Sequence, residues 1–437
     1  MSNRLDAQQR LNWRVAAVAI VLCCGAACSA ATAVKAQQQD SRTLEQSLQR
    51  ALEVAPEARG AQADVSAKRG ALQQAGAWPN PNIELRADDK IGKDQGNGGI
   101  DFTQFALSQS LPISGRLGHQ QAIARAQLEA ALAERRYQLV RLETQVARGY
   151  HNLQLATERM RLAQQRLQLA DESLGIGVRH AEAGELSHLE HLRVVLFRES
   201  AQQNLDKSEG AFNEALSRFS AYLDLAPQAV PELALLVPFD AIPVYEQLEA
   251  ALGNHVALLA ARQRVEAARA DVRLARAERF PDPDLRFFRE RDLLNNRRQD
   301  VTGIGIGVAV PLWDRNSGRI NEARAEVIKI ESELQVLERD LGSRMQQSYL
   351  HLNHLVQQGE HYRERLFTPA REVFDLTRNA YANGEADIHA LTDANNVYFD
   401  AHERYLELLQ EAWLEAAELR LAVGHALVTI NRSSGDE

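Results

Sequence analysis

Twelve histidines and a set of carboxylates are the groups in this chain that bear on chemistry. His188 and His191 form an i, i+3 pair, and His351 and His354 form another. On a helix such pairs share one face and can ligate zinc. Neither has a nearby cysteine or an HExxH-like frame, so ordinary solvated histidines are the simpler reading. Glu182, Glu185, Glu385, Asp387 and Asp393 gather instead around two glycine-containing turns, Ala183-Gly184-Glu185-Leu186-Ser187 and Asn383-Gly384-Glu385-Ala386-Asp387. Repeated around a symmetry axis, such carboxylates concentrate cations and disfavour anions. Helix caps and solvated charges are the competing reading. For covalent catalysis the chain offers no GxSxG, P-loop or dinucleotide fingerprint. Gly303-Ile304-Gly305-Ile306-Gly307 alternates like a strand and does not open a helix, so it is no phosphate loop. The formal net charge of −9 and the lack of a basic, aromatic-interleaved cluster exclude nucleic acid as the main partner.

The elements that position these groups are written twice. Trp78-Pro79-Asn80-Pro81 returns as Phe280-Pro281-Asp282-Pro283, and Leu111-Pro112-Ile113 with Gly115-Arg116 returns as Val310-Pro311-Leu312 with Gly318-Arg319. Each copy reads as helix, strand pair, long helix, turn, long helix. The opening helices are expected over Thr43–Ala77, with Ser41 or Thr43 as cap, and over Val244–Arg279. Each stops where proline removes a donor and bars the preceding residue from the α region. Strands are expected at Ile83–Ala87 and Phe102–Leu111, then at Leu285–Arg289 and Val301–Leu312. Asp94–Gly99 and Asn295–Arg298 read as hairpin loops. Ile304, Ile306, Val308 and Val310 alternate with Gly303, Gly305, Gly307 and Ala309, which suits a transmembrane β-barrel strand as well as a half-buried soluble one.

The long helices carry heptads. Leu132, Leu139, Val146, Leu153, Met160, Leu167 and Leu174 recur every seventh residue, with Leu142, Gly149, Ala156, Ala163 and Ala170 among their companions. Ile320, Val327, Leu334 and Leu341 do the same in the second copy. From Gly115 to Gly184 a helix would run on the order of 100 Å. Glycine can end one helix, and Ser187 or Asp387 can cap the next. The expected organisation is a signal peptide at 1–36, a first repeat at 37–226 (strands at about 82–111, coiled-coil hairpin at about 115–225 with its tip at 183–187), a proline-rich linker at 227–243, a second repeat at 244–427 (strands at about 284–312, hairpin at about 318–427 with its tip at 383–387), and a tail at 428–437.

The N-terminus has a basic start (Arg4, Arg10, Arg14), an apolar run over Val15–Leu22 and then small residues, as an export signal does. Val34-Lys35-Ala36 fits a signal-peptidase site, and Ala31-Thr32-Ala33 competes with it; an uncleaved anchor is a further alternative. All three cysteines, Cys23, Cys24 and Cys28, fall in this segment. Gly25-Ala26-Ala27-Cys28 also fits a lipobox, in which Cys28 would carry lipid. Beyond this segment no run is apolar enough for a spanning helix, so a membrane-spanning mature chain must span with strands. Four strands are too few to close a barrel, whereas three chains supply about twelve.

This duplicated arrangement resembles the TolC-like outer-membrane factors, the outer membrane efflux proteins. The resemblance rests on Leu111-Pro112-Ile113-Ser114-Gly115-Arg116 and on Val310-Pro311-Leu312-Trp313-Asp314-Arg315-Asn316-Ser317-Gly318-Arg319. Within the family the chain is most similar to the heavy-metal, cobalt-zinc-cadmium branch. The resemblance implies a mixed α and β membrane protein, a homotrimer with a 12-stranded outer-membrane β-barrel continued by a periplasmic coiled-coil barrel. It implies no cofactor, no enzyme activity, and work with a periplasmic membrane-fusion adaptor and an inner-membrane RND-type pump. It places adaptor docking at Gly184, Glu185, Leu186, Ser187, Gly384, Glu385, Ala386 and Asp387, and a periplasmic gate at Asp387 and Asp393. A multidrug or type I protein-secretion conduit is the alternative within the family; an exported soluble coiled-coil adaptor is the alternative of another class.

Overall fold

The computed structural model describes residues 43–88, 101–182, 187–226, 233–239, 242–294 and 297–424. The signal segment with Cys28, the Asp94–Gly99 loop, Asn295, Asn296, Gly184, Glu185 and Leu186 lie outside them. In chain order the elements are α1 (Leu44–Val54), α2 (Pro56–Ala75), β1 (Asn82–Asp88), β2 (Asp101–Ser110), α3 (Arg116–Glu182), α4 (His188–Leu223), α5 (Tyr245–Leu252), α6 (Val256–Ala277), β3 (Asp284–Leu294), β4 (Arg297–Gly307), α7 (Ser317–Tyr362), a π-turn at Arg363–Phe367, α8 (Thr368–Ala382) and α9 (Ile388–Val423).

The opening helix of each copy is broken, where the sequence suggested one continuous run. Thr43 caps α1 through a reciprocal capping box with Gln46. The chain then leaves the helix at Ala55 (φ −62°, ψ 131°), because Pro56 follows it and excludes α geometry there. In the second copy the break falls at Gly253–His255, and the His255 ring nitrogen accepts from the Ala257 amide to start α6. These breaks let α1 and α5 fold back over the long helices. Leu48 and Ala51 of α1 join Val146, Tyr150 and Leu153 of α3 and Phe219 and Leu223 of α4 in one buried cluster. Leu248 of α5 joins Met345, Leu352 and Leu355 of α7 and Leu408 and Leu419 of α9 in its counterpart. In the first heptad row Val146 and Leu153 are therefore fully buried, while Leu132, Leu139, Met160, Leu167 and Leu174 are only half-buried.

α3 runs unbroken for 67 residues, roughly 100 Å at 1.5 Å per residue. Its counterpart is interrupted by the π-turn. Pro369 lacks an amide hydrogen and its ring crowds the carbonyl four residues earlier, so the chain takes one wide turn and continues as α8. No helix among the described residues is long and apolar enough to cross a membrane.

The strands form one antiparallel sheet in the order β1-β2-β3-β4. β4 ends at Gly307 and not at Leu312, since Gly307 pairs with Asp284, the first residue of β3, and no partner remains beyond it. At the other end Arg297 and Arg298, expected in a loop, belong to β4 and pair with Leu294 and Leu293.

Candidate functional site

The pairing register sorts the sheet into two unlike faces. Ile83, Leu107, Phe287 and Ile304 stand in one row across all four strands. Leu85, Phe105, Leu285 and Ile306 share that face and are all exposed in the single chain, Ile304 and Ile306 to 74% and 71%. Such area facing water would be costly at about 25 cal/mol per Å². The opposite face carries Glu84, Ala106, Phe288 and Gly303 in one row, and an ion pair from Arg286 to Glu84 reaches across β2 (3.1 Å). Gly303 must be bare because the Phe288 ring lies over it, where a Cβ would collide. One apolar and one polar face is what a strand between lipid and an aqueous lumen needs.

Below the sheet the two repeats clasp each other. The Leu111 amide donates to the Pro283 carbonyl (2.9 Å), and the Ser114 amide donates to Asp282 Oδ1 (3.1 Å). Arg116 pairs with the same carboxylate. Burial raises the Asp282 pKa, but the Ser114 and Arg116 donors outweigh it and hold the carboxyl below its usual range. Asp282 between two prolines is thus a clasp, a role its spacing did not signal. Trp78, Ile113, Phe280 and Trp313 sit exposed at this level, Trp313 to 93%.

The hairpins α3–α4 and α7–α9 lie side by side along an α3–α9 seam. Arg148 pairs with Glu418 and Arg420 with Glu143. Arg159 meets Glu407 (2.5 Å) and Glu403 (3.1 Å), and Arg166 donates to Asn396 (2.5 Å) while lying over the Phe399 ring. The inter-repeat segment 233–239 is strapped onto this seam. Gln154 donates to the Ala234 carbonyl (2.7 Å) and Trp413 to the Val237 carbonyl (2.8 Å). His151 is buried beneath, stacked on Trp413 and bonded to Gln154 (2.8 Å). Burial, only partly opposed by the Gln154 bond, lowers its pKa to about 4, so it is neutral at pH 7.

At the tips, Ser187 caps α4 in a capping box with Glu190, and Asp387 caps α9 by accepting from the Ala390 amide (2.8 Å). The capping bonds hold the Glu190 carboxyl below its usual range. Gly384 takes φ +76° at the second turn, the left-handed conformation glycine adopts without strain. Glu385, Asp387 and Asp393 are exposed, as is Glu182, and Ala386 is half-buried against Val194, Tyr381, Ile388 and Leu391. Asp387 stands ahead of α9 as its cap, in extended geometry, whereas Asp393 lies inside the helix, so the two carboxylates are held in different ways. Behind the tips α4 and α9 meet where Arg193 donates to the His389 ring (3.1 Å), beside a cleft of about 400 Å³ lined by Arg166, Leu196, Phe197 and Asn396. Sequence reasoning missed this pair because neither residue lies in a motif.

Each histidine pair stands apart from any further cluster of ligating side chains among the described residues. His351 is engaged with Glu415 (3.0 Å), His354 is exposed, and His188 is exposed beside half-buried His191. Among the described residues no three His, Cys, Asp or Glu side chains converge in a way that could hold a metal ion.

A duplicated sheet-and-hairpin chain with these faces matches the family profile described as outer membrane efflux protein, over residues 47–223 and again over 247–425. The chain belongs to the outer membrane efflux protein family. Among curated relatives, the cobalt-zinc-cadmium resistance protein CzcC of Cupriavidus metallidurans is 21% identical over 365 residues, covering 83% of this chain and 85% of that one. The nickel-cobalt-cadmium resistance protein NccC of Alcaligenes xylosoxydans xylosoxydans is 24% identical over 287 residues, covering 66% and 65%. Among solved structures, the outer-membrane channel OprN superposes with a TM-score of 0.73 at 18% identity, covering 88% of this chain and 90% of OprN. The fold is therefore that of TolC-like outer-membrane channels. The protein is an outer-membrane efflux channel with a helical, periplasmic part, and its fold and family are those of channels.

Proposed function

We propose that three copies close into a tube that passes heavy-metal cations outward, in series with a periplasmic adaptor and an inner-membrane RND-type pump. The sheet carries this reading. Its apolar face suits lipid, its polar face suits a lumen, and β1 and β4 each leave an open edge that must be paired. Three sheets of four strands give a 12-stranded barrel with no edge. The helices repeat the logic, because α4 and α7–α8 flank the α3–α9 pair and are themselves left open on their outer sides. The channel is passive; cargo is driven by the pump. The turns at Gly184-Glu185-Leu186-Ser187 and Gly384-Glu385-Ala386-Asp387 dock the adaptor, and Asp387 and Asp393 contribute negative charge at the periplasmic mouth.

Metal cargo is supported by the names of the two relatives, both cation-resistance proteins. It is also supported by the acidic balance of the chain. The test is deletion of the gene in a strain without a redundant channel. Sensitivity is then scored to cobalt, zinc, cadmium and nickel beside dyes and antibiotics. Raised metal sensitivity with unchanged drug sensitivity is the expected result. The reverse pattern would assign the tube to multidrug efflux.

A further inference from the structure

Two imidazoles stand together on the open face of α7. Tyr349 of that helix meets Tyr245 of α5 (ring centroids 5.1 Å), and Leu352 and Leu355 are buried with Leu248 and Leu408. His351 and His354 follow Tyr349 by two and five residues, so they point about 200° and about 140° around the helix from it. Both rings are exposed. The side that Tyr349 faces is covered by α1, α5 and the 233–239 segment, since Leu233 packs with the α1 cluster and Phe239 with the α5 cluster. His351 and His354 therefore lie on the uncovered side of the helical layer. Glu415 of α9 meets the His351 Nδ1 at 3.0 Å, and its side chain is 19% exposed against 57% for the ring. A carboxylate only accepts, so in the neutral ring the proton sits on Nδ1 and the Nε2 lone pair is left for a ligand. Metal-ligating imidazoles are oriented in the same way.

We infer that His351 and His354 form a two-imidazole site for divalent transition cations on the lumenal wall of the helical tube. The inference rests on the tube proposed above: a covering layer on the inner side would fill the lumen, so the uncovered side is the inner one. Ligands three residues apart on a helix reach one ion, as Glu-x-x-His does in helical bundles. Imidazole favours copper, nickel and zinc over magnesium and calcium, which prefer oxygen. No third ligating side chain converges among the described residues, so water completes the coordination. A cavity of about 140 Å³ lined by Gln347, Ser348 and Glu415 adjoins His351 one turn nearer the sheet, with room for that water. Such binding is weak, and a conduit requires weak binding, because cargo held tightly does not leave. In the tip pair, by contrast, His191 is half-buried with its Nδ1 enclosed, so two rings are not equally presented.

The test uses the full protein purified in detergent, titrated calorimetrically with Ni²⁺ in excess Mg²⁺. The expected result is saturable Ni²⁺ binding through this pair. His351→Asn and His354→Asn should each weaken it by more than about tenfold, and Glu415→Gln by roughly 10- to 100-fold. His361→Asn, at an exposed imidazole two turns further along α7, should leave it unchanged, as should His188→Asn/His191→Asn. With Cu²⁺ in place of Ni²⁺, electron paramagnetic resonance should count two coordinating nitrogens in the protein and one in either single variant. Unchanged Ni²⁺ affinity in His351→Asn/His354→Asn, or an equal loss in the tip variant, overturns the site. A charged thiol reagent on His354→Cys in a planar bilayer tests the orientation separately. Altered conductance there, without Ni²⁺ binding by the unsubstituted protein, removes the site alone; unaltered conductance removes the orientation and the lumenal role with it.

Discussion

Within one chain the junction of the two repeats shows how neighbouring chains should meet. The Leu111 amide bonds the Pro283 carbonyl, and Ser110 pairs with Asp284. Leu111 corresponds to Val310 in the second copy, while Pro283 corresponds to Pro81 in the first. Carrying the β2–β3 register to β4 and the next chain's β1 therefore pairs Val310 with Pro81, Ala309 with Asn82, and Val308 with Ile83. The faces agree: Val308 continues the apolar row of Ile304 and Ile306, and Ile83 is its counterpart on β1. Since Leu111 and Pro283 are hydrogen-bonded partners, the adjacent pair is of the non-bonded kind, with Cα atoms about 4.5 Å apart. That lies inside the range of about 4.4–6.8 Å that a disulfide spans. Asn82→Cys/Ala309→Cys should thus oxidise to a covalent trimer, seen as a ladder of one, two and three chains on a denaturing, non-reducing gel. No cysteine follows Cys28, so the background is clean. A one-residue slip moves the partner by about 3.3 Å and turns it to the other face. Asn82→Cys/Val308→Cys should accordingly stay uncrosslinked. Crosslinking of that control in place of the first pair would refute the register. Trimers without either link would refute the transfer of symmetry from repeat to chain.

Other perturbations separate structural from functional roles. Asp387→Asn keeps a capping side chain but removes its charge, so with Asp393→Asn it should raise single-channel conductance if these residues set the mouth. Asp387→Ala should add a local loss of about 1 kcal/mol, read as faster exchange of the α9 N-terminal amides. His151 has its folded pKa depressed to about 4 from 6.5, so its contribution to stability is complete above 6.5 and lost as pH falls toward 4. The loss is on the order of 3 kcal/mol, and His151→Gln should flatten that limb of the thermal midpoint against pH. Gln154→Ala strands the Ala234 carbonyl and should cost about 1–3 kcal/mol and expose the 233–239 segment to protease. Gly303→Ala forces the Phe288 ring aside and should lower the thermal midpoint of the protein in detergent.

Much of the fold was legible because proline and alternation act locally. The strand exit at Pro112, the caps Thr43, Ser187 and Asp387, and the alternation of β4 follow from neighbours within a few residues. Pro56 was equally visible, yet its break was absorbed into one helix because the apolar period continues through it. Pro369 shows the opposite limit, since a π-turn accommodates it without ending the helix. The end of β4 depends on where β3 begins, which is not a property of β4. The Asp282 clasp, the Arg166–Asn396 contact and the His151 strap join residues of different elements, and no local signal marks them. At the tips the residue types were readable, but which of them stay exposed depends on which side of α9 packs inward.

The clasp also has a consequence for the order of assembly. Ser114 and Asp282 are separated by 168 residues, and β2 pairs with β3 across a still longer interval. Hairpins such as β1–β2 and α3–α4 close quickly, whereas contacts of such long range wait on the entropy of the intervening loop. The sheet must therefore mature late, after both helical hairpins. Until then its apolar rows and two bare edges stand in the aqueous periplasm as a target for aggregation. Refolding of the purified chain should show helix formation well ahead of β2–β3 pairing, and a holding chaperone should raise the yield by shielding that interval.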